Sequence, residues 1–254
     1  MPTPLEILLD PISIGIIAIY VGLIVIETIF PGRKLSSVKG WKTRALISFI
    51  IYFFIATYLP MFWDKYLYKY QLMDFSDINS YLSVLIGVFV FELLIYIWHR
   101  TMHNSKWLWL GFHQMHHSAE RIDAYGAYYF SPLDMIGFTM VGSLSLSLIV
   151  GLPPQSVTLF LFTTTFLAIF QHTNIKTPQW LGYIIQRPES HSVHHEKGVH
   201  AYNYSDLPIF DIIFGTFKNP KNFVIETGFY DGSSSRIIDM LQFKDVYKDI
   251  NNNN

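Results

Sequence analysis

The chain alternates between long apolar runs and short polar connections, and several runs are long enough to cross a bilayer. Residues 12–30 read ISIGIIAIYVGLIVIETIF, which at ~1.5 Å per residue spans a hydrocarbon core. Glu27 lies near the end of that run and Pro31-Gly32 stops it. A second run covers 45–62 and closes on Trp63, an interfacial anchor. After a polar connection at 64–79, a third run, 80–98, leads without a break into His99. Runs at 133–150 and 156–171, joined by the turn GLPPQ, predict a helical hairpin that spans the bilayer or dips deeply into it. The pattern predicts an all-α integral membrane bundle of four or five segments. From Thr173 the chain turns polar, and Asn251–Asn254 are expected to be disordered.

Composition agrees with a membrane protein: 51% of residues are hydrophobic and only 15% charged, unusual for a soluble chain. A net charge of -1 gives no reason to expect nucleic acid as a partner. The absence of cysteine removes disulfides, iron–sulfur clusters, thiolate zinc sites and a cysteine nucleophile together. No Gly-rich phosphate loop, GxSxG elbow or dinucleotide fingerprint is present.

The candidate chemistry lies in the histidines, all of which fall between His99 and His200. His99 and His103 are four apart, so on a helix their rings share one face. His113, His116 and His117 form an HxxHH, repeated at His191, His194 and His195. Imidazole is the commonest protein ligand for transition metals, and helical three- and four-residue spacing lets two rings grip one ion. Eight such histidines are too many for one metal and suit two. His172 stands alone at the end of a run, where a histidine is often a satisfied interfacial residue; the topology returns it beside the others, which favours a ligand. His200 reads as a solvated or supporting histidine.

Basic residues orient the bundle. If each run crosses once, 31–44, 99–132 and the chain after 172 share one side. That side carries Arg33, Lys34, Lys39, Lys42, Arg44, Arg100, Lys106 and Arg121, against Lys65 and Lys69 opposite. The histidines are therefore expected in a cap on the cytoplasmic side. Glu92, one heptad before His99, is costly inside a membrane helix. It either accepts an N–H from a ligand histidine or makes a helix–helix hydrogen bond as a protonated carboxyl. Glu27 reads as interfacial. Tyr125, Tyr128 and Tyr129 would line a lipid entrance or belong to an interfacial aromatic belt.

All-imidazole sites suit iron, zinc, copper or nickel. A dinuclear site at the end of an apolar bundle, reachable from lipid, suits attack on an unactivated C–H bond. That reaction needs dioxygen, two electrons and a redox metal. Zinc cannot cycle, so iron is the economical choice, with zinc able to replace it during purification. With no room for a flavin or haem domain, the electrons must come from a separate donor, a reductase with a cytochrome or a ferredoxin.

The run WHRTMHNSKWLWLGFHQMHHS, the segment LAIFQHTNIKTPQWL, the box HSVHH, and Asn203-Tyr204 followed by Phe210-Asp211 and Phe214-Gly215-Thr216 together resemble the fatty acid hydroxylase/sterol desaturase superfamily of membrane di-iron oxygenases. The resemblance covers most of 80–217. It implies a ligand set of His99, His103, His113, His116, His117, His172, His191, His194 and His195, with Glu92, Asn174, Asn203 and Asp211 in support and no catalytic group beyond the metals. It further implies hydroxylation of a fatty acyl, sphingoid or sterol-like lipid, or desaturation or ether-lipid oxygenation by the same centre. Departures occur at Tyr129-Phe130-Ser131-Pro132, where relatives often have Arg-Phe-His-Pro, at Ser192, Ser205 and Phe210, and none removes a box histidine. The chain divides accordingly into anchor helices (1–79), a histidine-box domain (80–217) and a soluble tail (218–254). A membrane metal-storage or transport protein is the main non-enzymatic alternative, and a bis-histidine haem protein a further one. Histidines clustered at one end of nearly uncharged spans argue against both.

Overall fold

Each apolar run folds into a helix, and the boundaries follow from local chemistry. The computed structural model describes residues 1–75 and 77–248, so Asn251–Asn254 lie outside the described residues. A short helix α1 (Pro4–Leu9) ends at Asp10, whose carboxylate caps α2 (Pro11–Ile29) by accepting from the N–H groups of Ile12 and Ser13. Helix α3 (Trp41–Leu67) returns beside α2, Phe49 stacking on Tyr20 and Tyr58 donating to the Pro2 carbonyl. Asn79 caps α4 (Ser80–Asn104), and Ser131 caps α5 (Pro132–Ser143), where Pro132 occupies the first helical position. A wider π turn, Leu144–Ile149, precedes α6 (Pro154–Phe170).

Four of these helical stretches, Pro11–Ile29, Trp41–Tyr70, Ser80–Asn104 and Pro132–Ile149, are long and apolar enough to cross a membrane, and α6 is shorter and apolar. The helices at 41–70 and 80–104 extend beyond the apolar runs because hydropathy marks only the hydrocarbon-facing stretch. Outward-facing Val25, Ile47, Ile51, Leu85 and Phe89 are exposed, a surface that only lipid satisfies. The α5–α6 hairpin runs the length of the bundle. At the end opposite the histidines, β2 (Val150–Gly151) pairs in parallel with β1 (Met73–Asp74), Trp63 donates to the Ser143 hydroxyl at 2.7 Å, and Ser83 and Ser156 share a hydrogen bond at 2.8 Å.

At the other end the connections between helices fold into a cap. Tyr20, Phe49, Tyr128, Met135 and Ile169 close the bundle beneath it. Above them Trp41, Met115 and Tyr129 pack with Phe229, Met240 and Val246. Gly126 is needed here, since a Cβ would meet the Trp41 ring at 2.5 Å. The tail, expected to be an appendage, thus contributes three core side chains to the cap. It also binds the second histidine box, because Gln114 donates to the Lys244 carbonyl and accepts from the Val246 N–H. Its apolar residues are too widely spaced to show a period, which is why sequence gave no sign of this.

Candidate metal centre

Four stretches of chain deliver histidines to one buried place. His99 and His103 occupy the last turns of α4. A π turn, Trp109–His113, and the short helix Gln114–His117 carry the second box, and α7 (Pro188–His194) carries the third. His172 follows the end of α6. The rings sort into two groups, His99, His103, His113, His117 and His194 in one, His116, His172, His191 and His195 in the other, with ligand nitrogens within 4.8 Å of one another in each. Each HxxHH is split. His113 and His117, four apart, serve the group of five while His116 crosses to the group of four. His191 and His195 serve the group of four while His194 crosses the other way.

The far ring nitrogens show which atoms are free to bind. The Nδ1 of His99 donates to the Tyr204 carbonyl at 2.8 Å, and that of His113 bonds the Asp134 carboxylate at 2.8 Å. Their Nε2 lone pairs then face each other at 2.8 Å, a repulsive arrangement unless a cation lies between them. Two imidazoles at right angles, each about 2.1 Å from one metal, would hold their nitrogens about 3 Å apart. The Nε2 pairs His172–His116, His191–His172 and His195–His191 lie at 3.1, 2.9 and 3.1 Å. The Nε2 atoms of His103, His117 and His194 are buried without a hydrogen-bond partner, which costs stability unless a ligand satisfies them. The residues fit two transition-metal ions with nitrogen donors.

One loop supports the group of five. The carbonyls of His200, Tyr202 and Tyr204 accept from Nδ1 of His103, His194 and His99 at 2.9, 2.7 and 2.8 Å. Alternate carbonyls of an irregular strand thereby fix three tautomers and leave three Nε2 lone pairs aimed into the group. The path is strained: His200, Tyr202 and Asn203 have φ of 44°, 71° and 51°, each costing on the order of 1–3 kcal/mol. It is held by Asn203, whose amide donates to the Ser190 and Lys218 carbonyls and accepts from the Lys218 N–H. Asp211 accepts from the N–H groups of Tyr204 and Ser205.

The residues expected in support therefore act through the loops, and none of the four touches a histidine ring. Glu92 accepts from the Ser205 hydroxyl and the N–H groups of Asp206 and Leu207. Seven residues of helix place it about 10 Å below His99, too far to meet that ring, and these partners lie on a loop and not on another helix. Asn174 donates its N–H to Glu27 and its amide to the Arg33 carbonyl. Glu27 is itself buried within the protein, accepting from the N–H groups of Ala124 and Asn174 to join two loops. Asp134 bonds the His113 ring directly; an acid at the head of a membrane helix was its signal in the sequence. His200 is largely buried, its Nδ1 3.1 Å from that of His117. Of the three tyrosines, Tyr128 lines the cavity described below. Tyr129 is buried against Trp41 and donates to the Ser234 carbonyl, and Tyr125 sits beneath the Lys42 ammonium.

Burial, followed by the mutual repulsion of neighbouring imidazoles, holds His113, His116, His117, His191, His194 and His195 well below the ordinary histidine pKa. Burial brings His172 and His200 down to about 4. The rings are neutral at physiological pH, the form that binds metal.

An apolar cavity of about 470 Å³ reaches this centre. It starts between Asp10, Ser13 and Asp64 at the opposite end of the bundle, passes Phe49, Tyr52, Thr164 and Gly142, and ends on His99 and His113 of one group and His116, His172 and His191 of the other.

A family model described as fatty acid hydroxylase matches residues 84–216. Among curated proteins the chain is similar to sphinganine C4-monooxygenase 1 of Arabidopsis thaliana, 27% identical over 52% of this chain and 52% of that one. Ornithine lipid hydroxylase OlsE of Rhizobium tropici is 31% identical over 54% of this chain and 42% of its own. Cholesterol 25-hydroxylase of Rattus norvegicus is 24% identical over 56% and 49%. The chain spans about half the length of the curated relatives it matches. No solved structure matches it.

Proposed function

The chain belongs to the fatty acid hydroxylase family, and from that premise we propose that it is a membrane oxidoreductase that hydroxylates a C–H bond of a lipid with dioxygen. The observation that carries this reading is the cavity: an apolar passage as long as the bundle ends on imidazoles of both groups. A hydrocarbon chain laid in it presents its carbons to the centre while water stays outside. The three similar proteins are named for oxygenation of a sphingoid base, an ornithine lipid and a sterol, which supports lipid as the substrate class.

The nine histidines would hold two irons, which supply dioxygen activation and the redox change that the residues alone cannot. The chain's own residues do the rest. Tyr204, His200 and Tyr202 carbonyls and the Asp134 carboxylate set four ring tautomers in the group of five, and Ala168 sets that of His172. Phe138, Phe130 and Tyr128 wall the cavity beside the rings. The balance is one C–H bond, one dioxygen, two electrons and two protons giving one alcohol and one water, so a separate two-electron donor is part of the proposal. The basic residues at the histidine end support a cytoplasmic side for the centre and its donor.

The test is iron-reconstituted protein in lipid vesicles with a chemical reductant and ¹⁸O-labelled dioxygen, read by mass spectrometry of the lipids. A hydroxylated lipid carrying one labelled oxygen is expected. An unsaturated product instead moves the assignment to desaturation, and turnover without dioxygen would remove the oxygenase reading.

A further inference from the structure

Between Lys176 and Lys218 the chain exposes a row of large apolar side chains outside the five bundle helices. Trp180, Tyr183 and Ile184 come from the turn Gln179–Tyr183 and its end; Ile212, Ile213 and Phe214 come from α8 (Pro208–Ile213) and its end, with Ile213 62% exposed. Tyr183 meets Phe217 at 5.6 Å, joining the two segments. The only charged residue in either segment is Asp211, which is buried.

The depth of this row is set by α4. Phe210 packs on Phe89 at 4.8 Å, and Phe214 stacks on Tyr96 at 5.0 Å. Phe89 lies ten residues before His99, about 15 Å towards the opposite end at 1.5 Å per residue, within the apolar part of a membrane helix and on its exposed side. Leu207 and Ile185 pack against the buried cluster of Val88, Phe160 and Leu167. Irregular backbone at hydrocarbon depth must have its N–H groups satisfied internally. Here buried carboxylates do this: Glu92 takes those of Asp206 and Leu207, and Asp211 those of Tyr204 and Ser205. The Gln186 and Asn203 N–H groups bond the Asp206 and Thr216 carbonyls.

We propose that residues 179–184 and 207–217 form a re-entrant element seated in the leaflet at the histidine end, its exposed row in contact with lipid acyl chains. The row continues the lipid-facing surface of α4, and Lys176 and Lys218 flank it where long ammonium side chains reach water. The buried carboxylates Glu92 and Asp211 then serve backbone held at membrane depth.

The chain has no cysteine, so single nitroxide labels report position cleanly. Ile213→Cys is compared in lipid vesicles with Leu85→Cys on the outer face of α4 and Lys197→Cys on the cap. Collision with oxygen and with a water-soluble nickel chelate is measured by power saturation. The expected result at Ile213 is high oxygen and low nickel collision, as at Leu85. Nickel collision like that at Lys197 overturns the proposal, because the row then faces water. Low collision with both overturns it as well, because protein then covers the row, and dilution with unlabelled chain tells whether that protein is a second copy. Ile209→Cys provides the same reading if Ile213→Cys fails to fold, and metal content reports an intact centre.

Discussion

The rings of His117 and His195 stack at 4.2 Å with 17° between their planes, although His117 belongs to the group of five and His195 to the group of four. The two proposed metal sites therefore share a wall of imidazole, and each HxxHH box is divided between them. Neighbours in sequence should fail at different sites. We expect His194→Ala and His103→Ala to weaken retention of the same metal, and His191→Ala to weaken the other. Metal content per chain during graded chelation checks this; His194→Ala and His191→Ala stripping one common metal would sink the two-group assignment.

The loop carbonyls give a second prediction. Asn203→Ala removes three hydrogen bonds that pin the loop and should weaken metal binding in the group of five about 10–100-fold, leaving the group of four less affected. His200→Gly keeps the carbonyl at a φ that glycine adopts freely and should retain both metals. If His200→Gly loses metal while Asn203→Ala does not, the ring of His200 is the support and the carbonyl is not.

Asp134 is the one carboxylate bonded to a ring of the two histidine groups among the described residues. Asp134→Asn retains the shape and removes the charge, and a fall of about 10–100-fold in metal affinity is expected. Unchanged affinity, measured by competition with a chelator, would show that His113 needs no carboxylate there, since the Asn oxygen still accepts.

Cavity length is tested at Gly142 on α5, which lines the passage and where an added Cβ meets nothing within 4 Å. Gly142→Phe should fold with full metal content and turn over short-chain lipids in preference to long ones. An unaltered chain-length profile would mean that substrate lies elsewhere.

The pH dependence follows from histidines that fold neutral. Burial brings His172 to about 4 against an ordinary value of 6.5, and the box histidines are lowered too. Below pH 6.5 the unfolded chain takes up protons that the folded chain refuses, so stability is lost as pH falls. Metal-stripped protein should melt at steadily lower temperature from pH 7 to pH 5; a flat profile would count against neutral packing of the rings.

Much of this was legible in the sequence. The membrane helices declared themselves because lipid demands long apolar runs, and the box histidines because helical spacing puts rings on one face. How the boxes divide was not, since ring direction depends on a π turn at Trp109–His113 that spacing does not reveal. Glu92 was noticed for its cost, yet its partner is a loop more than a hundred residues away. The chain from Thr173 was read as polar and the tail as soluble because their apolar side chains come in pieces too short to show a period.

The loop from His200 to Tyr204 supports the rings of His99, His103 and His194 with main-chain oxygens. Every residue type carries such an oxygen, so at 200 and 202 the support asks for a backbone path and not for a side chain, whereas Tyr204 is also held by its burial with Tyr96 and Phe210. At those two positions the support is heritable as a shape and not as a motif. An alanine scan there would pass over it, and a single proline or a deletion would expose it.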